Sequence, residues 1–274
     1  MSIEKYVAFA AKSFALPDIC VRLRAVLDDP RSTADDLGNL IGVDPSLTAK
    51  VLRLANSSLF RFPSQIESVS KAINVIGGEA LYNIVVAETA GTAFKHFETK
   101  YVSIDKHWYS SVYCGMVAKS LAMRLNIRGA DRFFVMGMLQ NLSELVVAKR
   151  APKRYVAYLD SKSKGLPDEG QRAHFGFTFA HCSGIILQNW NLPLGLSQPV
   201  THMNDGDHQA SDIDVGVLAL ANKITISQLE QEMYGDIELF TSEIANTVSL
   251  DMELVRISAE YAEIETAKVV SLIQ

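Results

Sequence analysis

Only three cysteines occur in this 274-residue sequence, Cys20, Cys114 and Cys182, and none sits in a Cys-x-x-Cys spacing. An odd, scattered set argues against a disulfide framework and fits buried thiols in a reducing cytoplasm. Long apolar runs are missing too: no stretch reaches the ~18 uninterrupted apolar residues of a membrane helix. Met1 to Ala11 carries an acid at Glu4 and lacks the basic-then-apolar pattern of an export signal. There is no Pro/Ser/Gly tract, no low-complexity run and no tail of one charge sign. Alternating strand patterns are absent, which leaves an all-α fold class. The net charge of −5 gives little footprint for bulk nucleic-acid binding. That charge is unevenly spread. Lys149, Arg150, Lys153, Arg154, Lys162 and Lys164 form one basic stretch, whereas Asp205 to Glu265 is mostly acidic.

What is present reads as helix after helix. Ser32-Thr33-Ala34-Asp35-Asp36 sets a hydroxyl three residues before an acid, an N-terminal capping pattern. Leu37, Leu40 and Ile41 then share one helical face, and Gly42 is expected to cap its C-terminus. Asp44-Pro45 opens the next helix, acid as N-cap and proline where its missing N–H costs nothing. Leu47, Val51, Leu52 and Leu54 supply its buried face, and Asn56 with the following serines ends it. Ser68 caps a short helix over Val69, Ala72, Ile73 and Ile76, closed by Gly77-Gly78. Longer helices are expected over Glu79–Phe97, Trp108–Leu125, Ala130–Lys149, Phe175–Trp190, Leu194–Met203 and Asp212–Leu229, with one or two more at the C-terminus. The apolar character of Ala130–Lys149 all round marks it as a central buried helix. Pro17 and Pro63 mark loops. The architecture expected is a multi-helical bundle of packed pairs.

Two blocks of residues carry a family resemblance. The first runs Ile41-Gly42-Val43-Asp44-Pro45-Ser46-Leu47 through Arg53-Leu54-Ala55-Asn56-Ser57 and on through Ile66-Glu67-Ser68 to Ile76-Gly77. The second is His181 with Gly184, Leu187 and Trp190-Asn191-Leu192-Pro193. Between them lie Trp108-Tyr109-Ser110-Ser111 and Gly137-Met138-Leu139-Gln140-Asn141-Leu142. In this order and spacing, from about Leu16 to about Ile226, the chain resembles HDOD domains, the HD-related output domains of bacterial signalling proteins. The resemblance implies an N-terminal helical subdomain over 1–100, a degenerate HD-like helical subdomain over 101–226 and a C-terminal helical extension over 227–274. It also implies a role in signal transduction. HDOD domains often accompany cyclic-dinucleotide or receiver domains in longer chains, and 274 residues leave no room for such a companion.

Carried across residue by residue, the parent HD-hydrolase pattern places a first ligand histidine near Ser110 and the His-Asp pair at Gln140 and Asn141. A later histidine falls at His181 or His202, and the final aspartate at Asn222. Amides and a hydroxyl replace the groups that a divalent cation requires, and three protein ligands are the usual minimum for zinc-type catalysis. The expectation is therefore no metal, no cofactor and no catalytic residue. A pocket of Ser, Gln, Asn and His could instead hydrogen-bond a neutral or anionic ligand, nucleotides included.

Each residue also has a purely structural reading. Gln140 and Asn141 can satisfy one another's neighbours between helices. His181 and His202 can be packing or surface histidines, and His96, His107, His174 and His208 form no cluster in the sequence. Asp44 and Pro45 are explained by capping, Asn56 and Ser57 by side-chain bonds to backbone, and Trp108 and Trp190 by packing between helices, with Pro193 fixing the turn after Trp190. A helix-turn-helix rhythm over Asp36–Ala55, with Lys50 and Arg53 outward, raises DNA binding. The acid at the start of its second helix and the few basic residues argue against it. The leading function is a non-catalytic, cytoplasmic bacterial regulator that binds a protein partner or a small ligand. A residual nucleotide phosphohydrolase and a DNA-binding regulator are the alternatives. The apolar end Val269-Val270-Ser271-Leu272-Ile273 packs on this chain or on a second copy, so oligomeric state is left open.

Overall fold

The computed structural model describes residues 2–57, 59–60, 65–161, 165–248 and 251–273. Among them every regular element is a helix. The first half holds α1 (Ile3–Ser13), α2 (Asp18–Asp28), α3 (Ala34–Gly42), α4 (Pro45–Ala55), α5 (Val69–Ile76), α6 (Gly78–His96) and α7 (Ile104–Arg124). Then follow α8 (Asp131–Leu139), α9 (Leu142–Arg150), α10 (Pro152–Ser161), α11 (Pro167–Phe175), α12 (Phe179–Asn189) and α13 (Leu194–His202). The chain ends in α14 (Gly206–Ser211), α15 (Ile213–Leu229), α16 (Gln231–Tyr234), α17 (Ser242–Thr247) and α18 (Met252–Ile273).

Local chemistry sets most of the boundaries. Thr33 and Asp36 form a reciprocal capping box at the start of α3. Asp44 accepts hydrogen bonds from the Ser46 and Leu47 N–H groups and starts α4, with Pro45 at its first position. Ser68 caps α5, and Gly77, at φ 84°, ends it in a backbone region that only glycine enters freely. Gly42 does not act as a cap: it is the last residue of α3, with right-handed Val43 after it. The stop comes from Pro45, which disfavours helical geometry at Asp44.

The expected Ala130–Lys149 helix is two helices. α8 stops at Leu139 and α9 begins at Leu142, so the break falls on Gln140 and Asn141. Asn141 leaves the helical region, at φ −109° and ψ 14°. The expected Phe175–Trp190 helix starts later, at Phe179: left-handed Gly176, at φ 81°, ends the preceding α11, and Thr178 caps α12. Among the described residues three helices rather than one or two follow α15, and α1, α2, α10, α11 and α14 were not anticipated. Pro63 lies outside the described residues.

Packing explains how distant segments meet. At the crossing of α7 and α8, a Cβ on Gly137 would lie 2.6 Å from both the Cα and the N of Gly115. Two glycines let these backbones touch, which brings Ser110 of α7 beside the end of α8. Arg132 ties α8 to α15 through Asp214 at 2.6 Å. α18 lies along α7, and the Tyr113 hydroxyl donates to the Ala259 carbonyl at 3.2 Å. α1 packs on α12 and α9, and Trp190 Nε1 donates to the Phe14 carbonyl at 3.2 Å. One hydrophobic core runs from Tyr6 through Phe94, Met116 and Leu218 to Val269. Each fully buried Leu or Phe in it contributes about 1.5–3 kcal/mol, against about 0–1 for a surface ion pair. At the C-terminus Val269 is buried and Val270 half-buried against this same core; the side chains of Leu272 and Ile273 lie outside the described ones.

Candidate ligand-binding site

The break between α8 and α9 opens onto a cavity of about 1080 Å³ walled by α7, α10, α11 and α15. Ser110, Gln140, Asn141 and Asn222 all line it, although they come from α7, the break and α15. Gln140 Nε2 donates to Asn222 Oδ1 at 3.4 Å. Asn141 Nδ2 donates to Glu144 Oε2 at 2.6 Å. Gln140 is therefore bonded across helices and Asn141 within the first turn of α9, and both also line open space.

Sequence reasoning missed the centre of this site, which is Glu144. Its carboxylate accepts from Asn141, from the Tyr155 hydroxyl at 2.6 Å and from His107 Nδ1 at 3.1 Å. Tyr155 and His107 are buried and Glu144 is half-buried. Burial, then the Glu144 charge, holds the Tyr155 hydroxyl well above the ordinary tyrosine range, so it stays a donor. His107 Nε2 is buried with no hydrogen-bond partner among the described residues. The available signal was helical spacing. Glu144 lies one turn beyond Asn141 at i+3, and His107 precedes Ser110 by the same step.

The wider lining is acidic. Asp105, Asp168, Glu230 and Glu243 join Glu144, against Lys106 and Lys223. Lys223 donates to the Glu238 carbonyl at 2.8 Å, and burial lowers its pKa.

His181 and His202 do not line the cavity. His181 Nδ1 donates to the Thr201 carbonyl at 3.2 Å. His202 stacks on His208 with ring centroids 3.9 Å apart, beside Asp205. So two histidines that formed no cluster in the sequence are placed, His107 in the Glu144 node and His208 against His202. His96 packs on Phe14 and Phe97, and His174 bonds Ser161 at 2.8 Å.

The HDOD domain family model matches residues 14–205. The chain belongs to the HDOD family. Among solved structures, an HDOD domain protein of unknown function from Geobacter sulfurreducens superposes with a TM-score of 0.74 at 19% identity, covering 100% of this chain and 99% of that one. A Shewanella amazonensis protein named as a candidate phosphohydrolase gives 0.71 at 19% identity, covering 97% and 98%. A Marinobacter aquaeolei protein named as a candidate signal transduction protein gives 0.72 at 19% identity, covering 96% of this chain and 60% of that one. At such identity these likenesses show the fold. A curated Treponema pallidum protein of uncharacterized function is 22% identical over 222 residues, and this chain spans 42% of its length.

In this HDOD chain the front motif has backbone partners. Asn56 Nδ2 donates to the Leu52 and Ile66 carbonyls, each at 2.8 Å, and its Oδ1 accepts from the Ile66 N–H at 2.7 Å. Ser57 donates to the Leu54 carbonyl at 2.6 Å and accepts from the Leu59 N–H at 3.2 Å. Trp108 is buried edge-on to Phe94. Pro193 leads into α13 after Asn191, whose left-handed φ of 56° asparagine tolerates better than most residues. Lys50, one of two outward cations in the DNA-binding reading, pairs with buried Glu88 at 3.3 Å, and α4 packs against α6 and α18. In the basic stretch, Lys149 donates to the His96 carbonyl at 2.6 Å, Arg150 covers Phe9 and Arg154 covers Phe175. Lys162 and Lys164 lie outside the described residues. Burial pushes the thiols up, Cys20 to about 11 and Cys114 and Cys182 to about 12, so all three are poor nucleophiles. No helix among the described residues is long and apolar enough to cross a membrane.

Proposed function

We propose that this HDOD protein is a non-catalytic module of bacterial, cytoplasmic signal transduction, and that it recognises a protein partner or a small ligand in the cavity at the α8–α9 break. One observation carries the reading. Where the parent hydrolase pattern calls for metal ligands, the cavity presents Ser110, Gln140, Asn141 and Asn222, with Gln140 bonded to Asn222 and Asn141 to Glu144. Amide groups make poor ligands for a hydrolytic metal and good hydrogen-bond partners. The one carboxylate at the centre has both oxygens engaged, Oε1 by Tyr155 and Oε2 by Asn141 and His107.

The charge of the lining narrows the occupant. Carboxylates outnumber cations around the cavity, and a phosphate group entering it would meet like charge at low dielectric. A neutral polar molecule or a peptide segment carrying Lys or Arg fits better than a nucleotide. DNA fits poorly for the same reason, and because Lys50 is already paired with Glu88.

The test is a double variant, Gln140→Leu with Asn141→Leu. Capture from a lysate of the source cell should recover a partner with the wild type and lose it with the variant, whose fold is verified by circular dichroism. A partner retained by a well-folded variant would remove the cavity from the account.

A further inference from the structure

Outside the cavity, the turn between α13 and α14 gathers His202, Asp205 and His208, whose ligand atoms all lie within 4.8 Å of one another. We propose that this turn is a binding site for a borderline transition-metal dication such as zinc, held by two imidazoles and one carboxylate.

The spacing suits such an ion. Ligands about 2.1 Å from a tetrahedral zinc stand about 3.4 Å apart. His208 Nδ1 is 3.1 Å and His202 Nδ1 is 4.0 Å from the same oxygen, Asp205 Oδ2. With the two rings stacked 3.9 Å apart, one ring must turn out of the stack before all three donors meet on one centre. The carboxylate is also held in place. Its other oxygen, Oδ1, accepts from the Asp207 N–H at 3.1 Å and the His208 N–H at 3.4 Å, as the N-cap of α14. Those bonds leave Oδ2 aimed at the two rings, which is the outer support that metal-binding carboxylates receive.

The two imidazole rings lie nearly parallel, 17° apart, so two positive charges there would repel. Imidazole with carboxylate favours zinc and its neighbours over magnesium or calcium, which prefer all-oxygen shells. The site would serve as a clip. Met203, Asn204, Gly206 and Gln209 of the same turn line the cavity, so an ion behind them would stiffen that wall.

The experiment is zinc titration of the full chain after demetallation, by calorimetry and by thermal shift. Asp205→Asn keeps an N-cap residue while removing the charge, and His208→Ala removes a half-buried ring. We expect one equivalent bound by the wild type, a rise in Tm with zinc, and at least a tenfold weaker affinity in each variant. Glu144→Gln should bind zinc as the wild type does. No uptake by the wild type would overturn the proposal. So would equal affinity in Asp205→Asn and His208→Ala, or a loss that follows Glu144→Gln instead.

Discussion

Two polar regions of this molecule look alike in sequence and differ in structure. In the front motif, Asp44, Asn56 and Ser57 direct their side chains to backbone groups no more than ten residues away. The cavity joins side chains from far apart: His107 meets Glu144 across 37 positions, and Gln140 meets Asn222 across 82. The first arrangement fixes turns. The second assembles donors and acceptors that only the finished fold brings together. Both regions match the HDOD pattern, so a match to the family does not by itself separate scaffold from site; the partners of each side chain do.

The largest expected effect comes from breaking the frame that holds the cavity together. Gly137→Leu drives a side chain into the Gly115 backbone, and denaturant titration should show a loss of about 3 kcal/mol or more. Asn56→Ala comes next. It strands the Ile66 N–H and carbonyl, at a cost of about 1–3 kcal/mol, yet partner capture through the cavity should be unchanged. An equal loss of binding and stability would mean that the two regions are not separable. Asp44→Ala removes one N-cap, and a drop of about 1 kcal/mol should appear in the same titration.

The smallest effect is a pH slope. Burial raises the pKa of Glu88 above its ordinary 4.5, with Lys50 acting in the opposite direction. Above pH 4.5 the folded chain keeps a proton that the unfolded chain has released. The stability contributed by this group is therefore full at low pH and declines as pH rises from 4.5 through the raised value. Stability measured across that interval should fall less steeply in Glu88→Gln than in the wild type, and an unchanged slope would remove Glu88 as its source.

Much of the fold was legible because its signals are local. Thr33-Asp36, Asp44-Pro45 and Ser68 each fix a helix start through neighbours within three residues. The break at Gln140-Asn141 was not legible. The apolar pattern runs straight through it, and the break shows only in the bonds that Asn141 and Gln140 make to Glu144 and Asn222. The start of α12 after Gly176-Thr178 could have been read, since glycine followed by a capping threonine is a stop-and-start signal. Of the site, the four positions Ser110, Gln140, Asn141 and Asn222 were placed by resemblance, and the structure brings them to one cavity. His181 and His202 were grouped with them and lie elsewhere, because the α12–α13 packing turns both away toward Thr201 and His208. Glu144 and His107 escaped notice because helical spacing sets each beside an expected site position without showing that the two meet, and their pairing is a tertiary contact.

The central claim is that the cavity recognises and does not hydrolyse. Its most direct test is turnover of a generic phosphodiester by the full chain incubated with manganese, iron or zinc, with Glu144→Gln alongside. The account predicts no cleavage above the metal-only background in either protein, whether or not zinc occupies the His202 turn. Cleavage by the wild type that disappears in Glu144→Gln would contradict it and make the His107–Glu144 node a working hydrolytic centre.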